Sequence, residues 1–385
     1  MSKETVIKNA RIVLEDEIVT GSVLWRDGVI AAIDQSSSSL GASGIGEDME
    51  GDYVMPGLVE LHTDHLESHY SPRPGVRWDT LAAIQAHDAQ IAASGITTVF
   101  DCLRLGSDEE AGGFQRGEMR QIADALETAR DENRLRADHL IHLRCEVSAE
   151  DVLEQFEDFK ADGHVRLASL MDHAPGQRQF QTFEQYALYY KTKRGLTDEA
   201  FAVFAERRVA ASQRYSARHR RIIAEYCNDS GIATASHDDA TLEHVAESQA
   251  FGVQVAEFPT SIEAAKASHA AGMSVLMGAP NIVRGKSHSG NISAKELANA
   301  GVLDVLSSDY VPFSLIHAPF VLSDGDNAMP LAEAIRLVTA TPARAVGLDD
   351  RGRIATGLRA DLIRVKHVSG VPVVRSVWRE GRRVA

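Results

Sequence analysis

The stretch VMPGLVELHTD (residues 54–64) decides the fold of this 385-residue chain. It is an apolar run that ends in His62 and Asp64. Seven similar runs follow, each after a segment long enough for a helical crossover. They are GITTVFDCL, HLIHLRCEV, VRLASLMDH, GIATASHDD, VQVAEFPT, MSVLMGAPN and VLDVLSSDY. Their number and rhythm predict an α/β fold with a (β/α)8 TIM barrel over residues 55–341.

The two ends of the chain carry a different pattern. Residues 1–54 contain short alternating runs such as TVIKNARIVL, and residues 342–385 repeat that style in GRIATGLRADLIRV and VPVVRSVWREGRRV. A period of two residues between apolar side chains is typical of half-buried antiparallel strands. We therefore expect both ends to pair into one small β-sandwich domain. A charged stretch at about 175–225 predicts a helical insertion in the barrel.

Composition excludes several classes of protein. Apolar residues make up 44% of the chain, which is too many for a disordered protein. The net charge of −15 argues against nucleic acid or an anionic membrane as a partner. Cys102, Cys145 and Cys227 show no CxxC spacing, and no apolar run reaches the roughly 18 residues of a membrane span. We expect a cytoplasmic protein.

Polar residues close five of the eight apolar runs. They are His62, Asp64, Glu146, Asp172, His173, His237, Asp238, Asp239 and Asp309. In a parallel barrel, catalytic groups lie at the C-terminal ends of the strands. Imidazole and carboxylate groups bind zinc, manganese or iron, and a carboxylate such as Glu146 can bridge two ions. Because residues i and i+2 of a strand point the same way, His62 and Asp64 can address one ion together.

The order of these motifs resembles the amidohydrolase superfamily, from PGLVELHTD and GITTVFD to the Asp that closes the eighth run. The segments HTDHLESHYSPRPGVRWD, SLMDHAPGQRQF, ASHDDAT, AEFPTS, LMGAPNIVRGKSHSGN and LSSDYVP are similar to one group within it. That group is the α-D-ribose 1-methylphosphonate 5-triphosphate diphosphatases of the carbon–phosphorus lyase pathway, which degrades phosphonates. The resemblance runs from about residue 12 to residue 383.

The resemblance implies a binuclear metal site. His62 and Asp64 would hold one divalent ion, His173 and His237 the second, and Glu146 would bridge them. We expect zinc, with manganese or iron as alternatives, because donors of this type accept all three metals.

Asp309 completes the implied site. Two ions that share a hydroxide supply a nucleophile near neutral pH, and Asp309 would orient the water and take its proton. One departure from the group is His65, where the resemblance leads us to expect Asn. His65 is either an additional substrate contact or a loop residue with a structural role.

Basic residues in the loops after the strands can neutralise a phosphorylated substrate. If the electrophile is phosphorus, negative charge develops on the phosphoryl oxygens, and Arg grips such oxygens in pairs. The candidate substrate-binding residues are Arg73, Arg77, Arg178, Arg284, Lys286, His288 and Tyr310. The last two would donate hydrogen bonds to a phosphate or a ribose hydroxyl.

We therefore expect a hydrolase that cleaves the 5-triphosphate of this phosphorylated sugar to the 5-phosphate and diphosphate. A homodimer is the expectation for the superfamily. Two other functions stay open from the sequence. One is hydrolysis of a C–N bond in a cyclic amide, an N-acyl compound or a nucleobase. The other is an inactive, metal-bound assembly subunit.

Overall fold

The computed structural model describes residues 4–35, 46–106, 117–178, 186–187, 190–192, 195–285, 291–324 and 328–385. Lys286 and His288 lie outside these residues. The described part of the chain forms two eight-stranded sheets, with helices packed around one of them.

The strands are numbered in chain order. They are β1 (Glu4–Val13), β2 (Ile18–Arg26), β3 (Val29–Asp34), β4 (Glu47–Asp48), β5 (Tyr53–Pro56), β6 (Leu58–Thr63), β7 (Ile96–Leu105), β8 (Asp138–Glu146), β9 (Val165–Met171), β10 (Ala233–His237), β11 (Val255–Glu257), β12 (Ser274–Gly278), β13 (Val305–Ser307), β14 (Leu362–Val368), β15 (Val371–Arg379) and β16 (Arg382–Arg383).

The helices are numbered in the same way within the described residues. They are α1 (His65–Tyr70), α2 (Thr80–Ala93), α3 (Glu118–Asp131), α4 (Val152–Glu157), α5 (Asp198–Ser230), α6 (Leu242–Ala250), α7 (Ile262–Ala270), α8 (Ala279–Arg284), α9 (Ala294–Asn299), α10 (Ser314–Leu322), α11 (Leu331–Arg336) and α12 (Ala340–Ala345). None of them is long and apolar enough to cross a membrane.

The first sheet is a separate mixed sheet built from both ends of the chain, as predicted. Its order is β16-β15-β14-β5-β1-β2-β3, with β4 beside β1. The two ends meet where β5 pairs antiparallel with β14, so that Met55 lies opposite Ile363. The buried side chains of Trp25 and Trp378 pack edge to face with ring centroids 5.9 Å apart. This contact joins the two chain ends in one core.

A single residue, Gly57, connects β5 of the terminal sheet to β6 of the barrel. Its N–H donates to the carbonyl of Asp361, 2.8 Å away. A Cβ atom here would lie 2.2 Å from Oγ1 of Thr97, which is far below van der Waals contact. Glycine is therefore required for β5 to run directly into β6.

The second sheet is the predicted parallel barrel. Its order, β13-β12-β11-β10-β9-β8-β7-β6, contains the eight runs in their sequence order. A bridge between Thr63 and Asp309 closes the circle. The N–H of Asp309 donates to the carbonyl of His62 (3.2 Å), and the N–H of Asp64 donates to the carbonyl of Asp309 (3.1 Å). The barrel thus closes through three predicted metal ligands, of which Asp309 is also the predicted catalytic residue.

Buried side chains inside the barrel change from apolar to polar toward its C-terminal end. A core cluster contains Leu167, Ala235 and Val255. Two residues further along the same strands come Ser169, His237 and Glu257. Since side chains at i and i+2 share one face of a strand, the polar layer lies directly above the apolar one. The apolar layer supports the polar groups and keeps water from beneath them.

Local capping signals place several helices around the barrel. The side chains of Asp79, Thr241 and Ser261 accept the backbone N–H three residues ahead, at the starts of α2, α6 and α7. Ser293 and Glu296 form a capping box at α9. These caps fix the end of each turn at the point where the following helix begins.

Candidate metal centre

The six predicted ligands lie at one end of the barrel. His62 is the second-to-last residue of β6, and Glu146 and His237 are the last residues of β8 and β10. Asp64, His173 and Asp309 follow β6, β9 and β13 by one or two residues. The C-terminal ends of parallel strands meet at one face, so the strand order brings these residues to a common surface.

Glu257, the last residue of β11, connects two predicted ligands. Its Oε1 lies 3.1 Å from Nδ1 of His62, and its Oε2 lies 3.1 Å from Nδ1 of His237. An ionised carboxylate only accepts hydrogen bonds, so both rings donate through Nδ1 and keep Nε2 available for a cation. Sequence reasoning missed Glu257, although an acid closes the apolar run VQVAE in the same way as at the predicted sites.

A buried network holds Glu257 in place. The hydroxyl of Ser169 donates to Oε2 of Glu257 (2.6 Å) and lies 2.5 Å from Nε2 of His142. Burial would raise the pKa of Glu257, but His62 and the hydrogen bonds from His237 and His62 hold that pKa well below its usual range. Burial lowers the pKa of His142 to about 3, so that ring is neutral. Glu257 is therefore a fixed anion beneath two imidazoles.

A second group of donors converges around Asp238. His173, His237 and Asp238 each offer an atom within 4.8 Å of the others. Oδ2 of Asp238 lies 3.6 Å from Nε2 of His237 and 3.9 Å from Nε2 of His173. This oxygen is buried and has no hydrogen-bond partner among the described residues. Two imidazoles and an unsatisfied carboxylate oxygen fit a divalent cation. The sequence placed Asp238 at a strand end but not among the ligands.

Glu146 lies next to this group. Its Oε2 accepts a hydrogen bond from Nδ1 of His173 (2.7 Å), and Nη2 of Arg208 from α5 lies 3.4 Å from its Oε1. Burial would raise the pKa of Glu146, but His173 and Arg208 lower it to about 2. Glu146 is thus ionised at neutral pH. Arg208 was not singled out in the sequence, because it lies within a long helix and does not directly follow a strand.

The backbone of Asp64 does not have the strand conformation that the sequence predicted. It follows β6 as the N-terminal cap of α1, with φ −91° and ψ 7°, and β6 has a register shift between Glu60 and Thr63. Strand alternation therefore does not link Asp64 to His62, and that premise was wrong. Both carboxylate oxygens of Asp64 accept from Nη1 of Arg144, at 2.7 and 2.6 Å.

Two guanidinium groups determine the charge state of Asp64. Nη2 of Arg104 lies 3.6 Å from its Oδ2, beside Arg144. Burial would raise the pKa of Asp64, but Arg144 and Arg104 hold that pKa well below its usual range. Both arginines lie within β7 and β8, and not in the loops after strands from which the sequence candidates came.

A buried acid, Glu60, supports Asp309 from below. Glu60 accepts the N–H of His62 (2.6 Å) and the N–H of Ser308 (2.5 Å), which ties β6 to the end of β13. Burial raises the pKa of Glu60 to about 8 despite these hydrogen bonds. Asp309 itself has a left-handed backbone, with φ 55°. The fixed backbone on either side of Asp309 sets the direction of its carboxylate.

The structure separates the candidate substrate-binding residues. Arg178 is buried, and its guanidinium is paired with Asp239 and Glu247. Because both terminal nitrogens of this arginine are paired with carboxylates, its role is to position the loop. The geometry does not support direct contact of Arg178 with a substrate. Arg77 is partly exposed and is paired with Glu118 (2.8 Å).

Arg73, Arg284 and Tyr310 remain accessible. Tyr310 is 46% exposed and directly follows Asp309, and Arg284 ends α8. Among the described residues, no carboxylate lies within ion-pair distance of Arg73 or Arg284. These two cations can therefore meet an anion from solvent.

Comparison with known proteins identifies relatives over nearly the full length of the chain. It is 47% identical over 380 residues to the alpha-D-ribose 1-methylphosphonate 5-triphosphate diphosphatase of Escherichia coli (strain K12), covering 98% of this chain and 100% of that protein. It is 25% identical to the imidazolonepropionase of Nocardia farcinica (strain IFM 10152), over 94% of this chain and 91% of that protein.

Solved structures confirm the fold. N-acetylglucosamine-6-phosphate deacetylase from Pasteurella multocida superposes with a TM-score of 0.65 at 12% identity, and each chain is 99% covered. A putative prolidase from Bifidobacterium longum gives a TM-score of 0.64 at 17% identity, over 99% of this chain and 94% of that one. The sequence model of the amidohydrolase family matches residues 65–385. The chain therefore belongs to the amidohydrolase family.

Proposed function

We propose that this chain hydrolyses the 5-triphosphate of α-D-ribose 1-methylphosphonate 5-triphosphate to the 5-phosphate and diphosphate. The observation that carries this proposal is the 47% identity to the Escherichia coli diphosphatase, which extends over the whole of that protein. The similarity spans 98% of this chain, so it is not confined to one of the two sheets. The accessible cations Arg73 and Arg284 are consistent with a polyanionic substrate.

The superfamily is metal-dependent, and the group of His173, His237 and Asp238 fits a divalent cation. We propose that the site binds two metal ions, with zinc preferred to manganese or iron. His173, His237 and Asp238, with Glu146 beside them, would hold one ion. His62, Asp64 and Asp309 would hold the other. When bound, the ions would lower the pKa of a water molecule and polarise the phosphoryl group.

The protein's own residues have distinct roles in this proposal. Glu257 orients His62 and His237. The carboxylate of Asp309 takes a proton from the attacking water, and the hydrogen bonds on either side of its backbone hold it in position. Arg144 and Arg104 place positive charge beside Asp64, which favours the approach of a phosphate chain.

Charge neutralisation at the phosphates would come from the loops. Arg73, Arg77 and Arg284 are the proposed contacts, together with Lys286, His288 and Tyr310. Arg178 would act indirectly by holding its loop. The homodimer and the cytoplasmic location stay predictions.

The test is to incubate the metal-loaded protein with the ribose triphosphate and to follow the products by phosphorus NMR. We expect diphosphate and the 5-phosphate in equal amounts. Asp309→Asn should lower turnover by about 10²–10⁴-fold, because the proton acceptor is lost. The exposed Asp349→Asn is the matched control and should leave turnover unchanged.

Two results would contradict the proposal. One is release of inorganic phosphate in place of diphosphate. The other is the absence of diphosphate above the level of Asp309→Asn, together with turnover of cyclic amides by the same sample. The second result would instead indicate the C–N chemistry expected from relatives such as imidazolonepropionase.

A further inference from the structure

A cluster of three histidines lies beside the candidate centre and has no part in the proposed reaction. His65 and His69 are on α1, and His87 is on α2. Each offers a nitrogen, and these nitrogens lie within 4.8 Å of one another. His87 is completely buried, His65 is 9% exposed and His69 is half-buried. Three imidazoles thus converge at the contact between two helices.

Helix geometry explains how the three rings meet. Residues i and i+4 lie on one face of a helix, so His65 and His69 point in the same direction. His87 faces them from the next helix, with ring centroids 5.5 Å from His65 and 6.1 Å from His69. The departure noted in the sequence, His65 after Asp64, therefore has a partner. Its ring packs against other histidines, where a loop residue would be solvated.

The rings of His65 and His87 are hydrogen-bonded to each other, whereas one buried nitrogen of the cluster has no such partner. Nε2 of His69 is buried and has no hydrogen-bond partner among the described residues. Nδ1 of His65 faces Nδ1 of His87 at 3.3 Å. Buried polar side chains normally find a partner, so an imidazole nitrogen without one has a lone pair or proton available for a ligand.

A carboxylate fixes the tautomer of His87. Nε2 of His87 lies 2.8 Å from Oδ1 of Asp101, and Oδ2 of Asp101 lies 2.7 Å from Nδ1 of His139. His139 is in turn 3.3 Å from Asp88. An imidazole that donates its Nε2–H to a carboxylate presents a lone pair at Nδ1. A carboxylate behind a metal-binding histidine is the usual support in protein metal sites.

The spacing between nitrogens fits a tetrahedral metal ion. Two nitrogens bound about 2.05 Å from one tetrahedral zinc are about 3.3 Å apart. The observed distance between the Nδ1 atoms of His65 and His87 is 3.3 Å. The neighbouring group of His87, Asp101 and His139 is less suitable, because none of its buried nitrogen and oxygen atoms is without a hydrogen-bond partner.

We propose that His65, His69 and His87 form an additional zinc site, separate from the candidate catalytic centre, with solvent as the fourth ligand. It shares no residue with that centre. His69 is the least buried of the three histidines. The ion would clamp α1 against α2. Since Asp64 is the N-terminal cap of α1, the clamp would fix the helix that follows the first barrel strand.

The test is the zinc stoichiometry of the whole protein, measured by elemental mass spectrometry after equilibration with buffered zinc and desalting. We expect His69→Gln and His65→Asn each to bind one equivalent less than the wild type. His269→Gln is the matched control, because His269 is a helix residue with a 42% exposed side chain. It should bind as much zinc as the wild type.

Three outcomes would overturn the proposal. Equal stoichiometry in the wild type and in folded variants means that these histidines bind no ion. A loss of more than one equivalent means that the two sites are not separate. If neither variant folds, zinc-edge anomalous diffraction from wild-type crystals decides. A peak between the three rings supports the site, and no peak there at saturating zinc excludes it.

Discussion

Glu257 shows how one buried side chain can organise the residues around it. Its carboxylate contacts His62 and His237, which are 195 and 20 residues away in sequence. Both contacts use Nδ1, so a single anion sets the orientation and the tautomer of two imidazoles. Removal of its charge should therefore affect both rings at once, while leaving the apolar layer below it intact.

At this scale we predict that Glu257→Gln weakens metal binding by about 10–100-fold, the usual effect of losing a group that supports a ligand. The amide can accept from only one ring, so the other loses its orientation. Titration with a competing chelator measures the affinity, and circular dichroism checks the fold. Glu263→Gln, at an exposed position on α7, should change neither. Unchanged affinity in Glu257→Gln would show that the rings are held by other groups.

At the scale of elements, the connection from β5 to β6 consists of Gly57 alone. Any side chain there meets Thr97, which is 1% exposed and cannot move into solvent. The two sheets therefore depend on a residue without a Cβ atom at the point where one continues into the other.

We predict that Gly57→Ala lowers the free energy of unfolding by about 1–3 kcal/mol, the typical cost of overpacking. Gly163→Ala is the matched control, because no atom lies within 4 Å of its added Cβ. Urea denaturation measures both. Thr97→Ala removes the closest atoms and should restore part of the loss in the double variant. If Gly57→Ala is as stable as the wild type, the backbone shifts at this point without cost.

At the scale of the whole molecule, Asp138 joins the barrel to the C-terminal segment. It is the first residue of β8. Its carboxylate lies 2.8 Å from Arg351, 2.7 Å from Arg359 and 3.1 Å from Arg379. Burial would raise the pKa of Asp138, but Arg359 and the other two arginines hold that pKa below its usual range. The carboxylate thus stabilises the folded state only when ionised.

We predict that Asp138→Asn lowers the free energy of unfolding at pH 7 by about 1–3 kcal/mol, because three cations lose their shared anion. The folded-state pKa of Asp138 lies below the unfolded value of about 3.9. Its contribution is therefore complete above that value and is lost as the pH falls through the folded pKa. The difference between variant and wild type should shrink in acid. Urea denaturation between pH 3 and 7 measures it.

Asp350→Asn provides the control for this contact. Asp350 also pairs with Arg351, but its side chain is 52% exposed. An exposed ion pair contributes little to stability, so this variant should stay within about 0.5 kcal/mol of the wild type. An equal loss in both variants would mean that the charge of Arg351, and not the junction at Asp138, accounts for the effect.

Sequence periodicity was sufficient to predict the architecture of this protein. The eight barrel strands, their order and the sheet formed by both chain ends follow from runs of a few residues and the segments between them. The same reasoning placed His62, Glu146, His173, His237 and Asp309 at one face, because it needs only the end of each strand. Strand periodicity and strand ends are local properties, so a single sequence reports them directly.

Tertiary structure alone decided which side chains meet. The pairing of Asp64 with Arg144 spans 80 positions, and the commitment of Arg178 to Asp239 spans 61. The register shift in β6 and the start of α1 at the next residue make Asp64 a helix cap, where strand alternation had been expected. His65 departs from the residue expected in the sequence, and the partners of its ring depend on the packing of α2 against α1. Distances between residues far apart in sequence depend on how strands curve and helices pack. Local sequence patterns do not determine either of these.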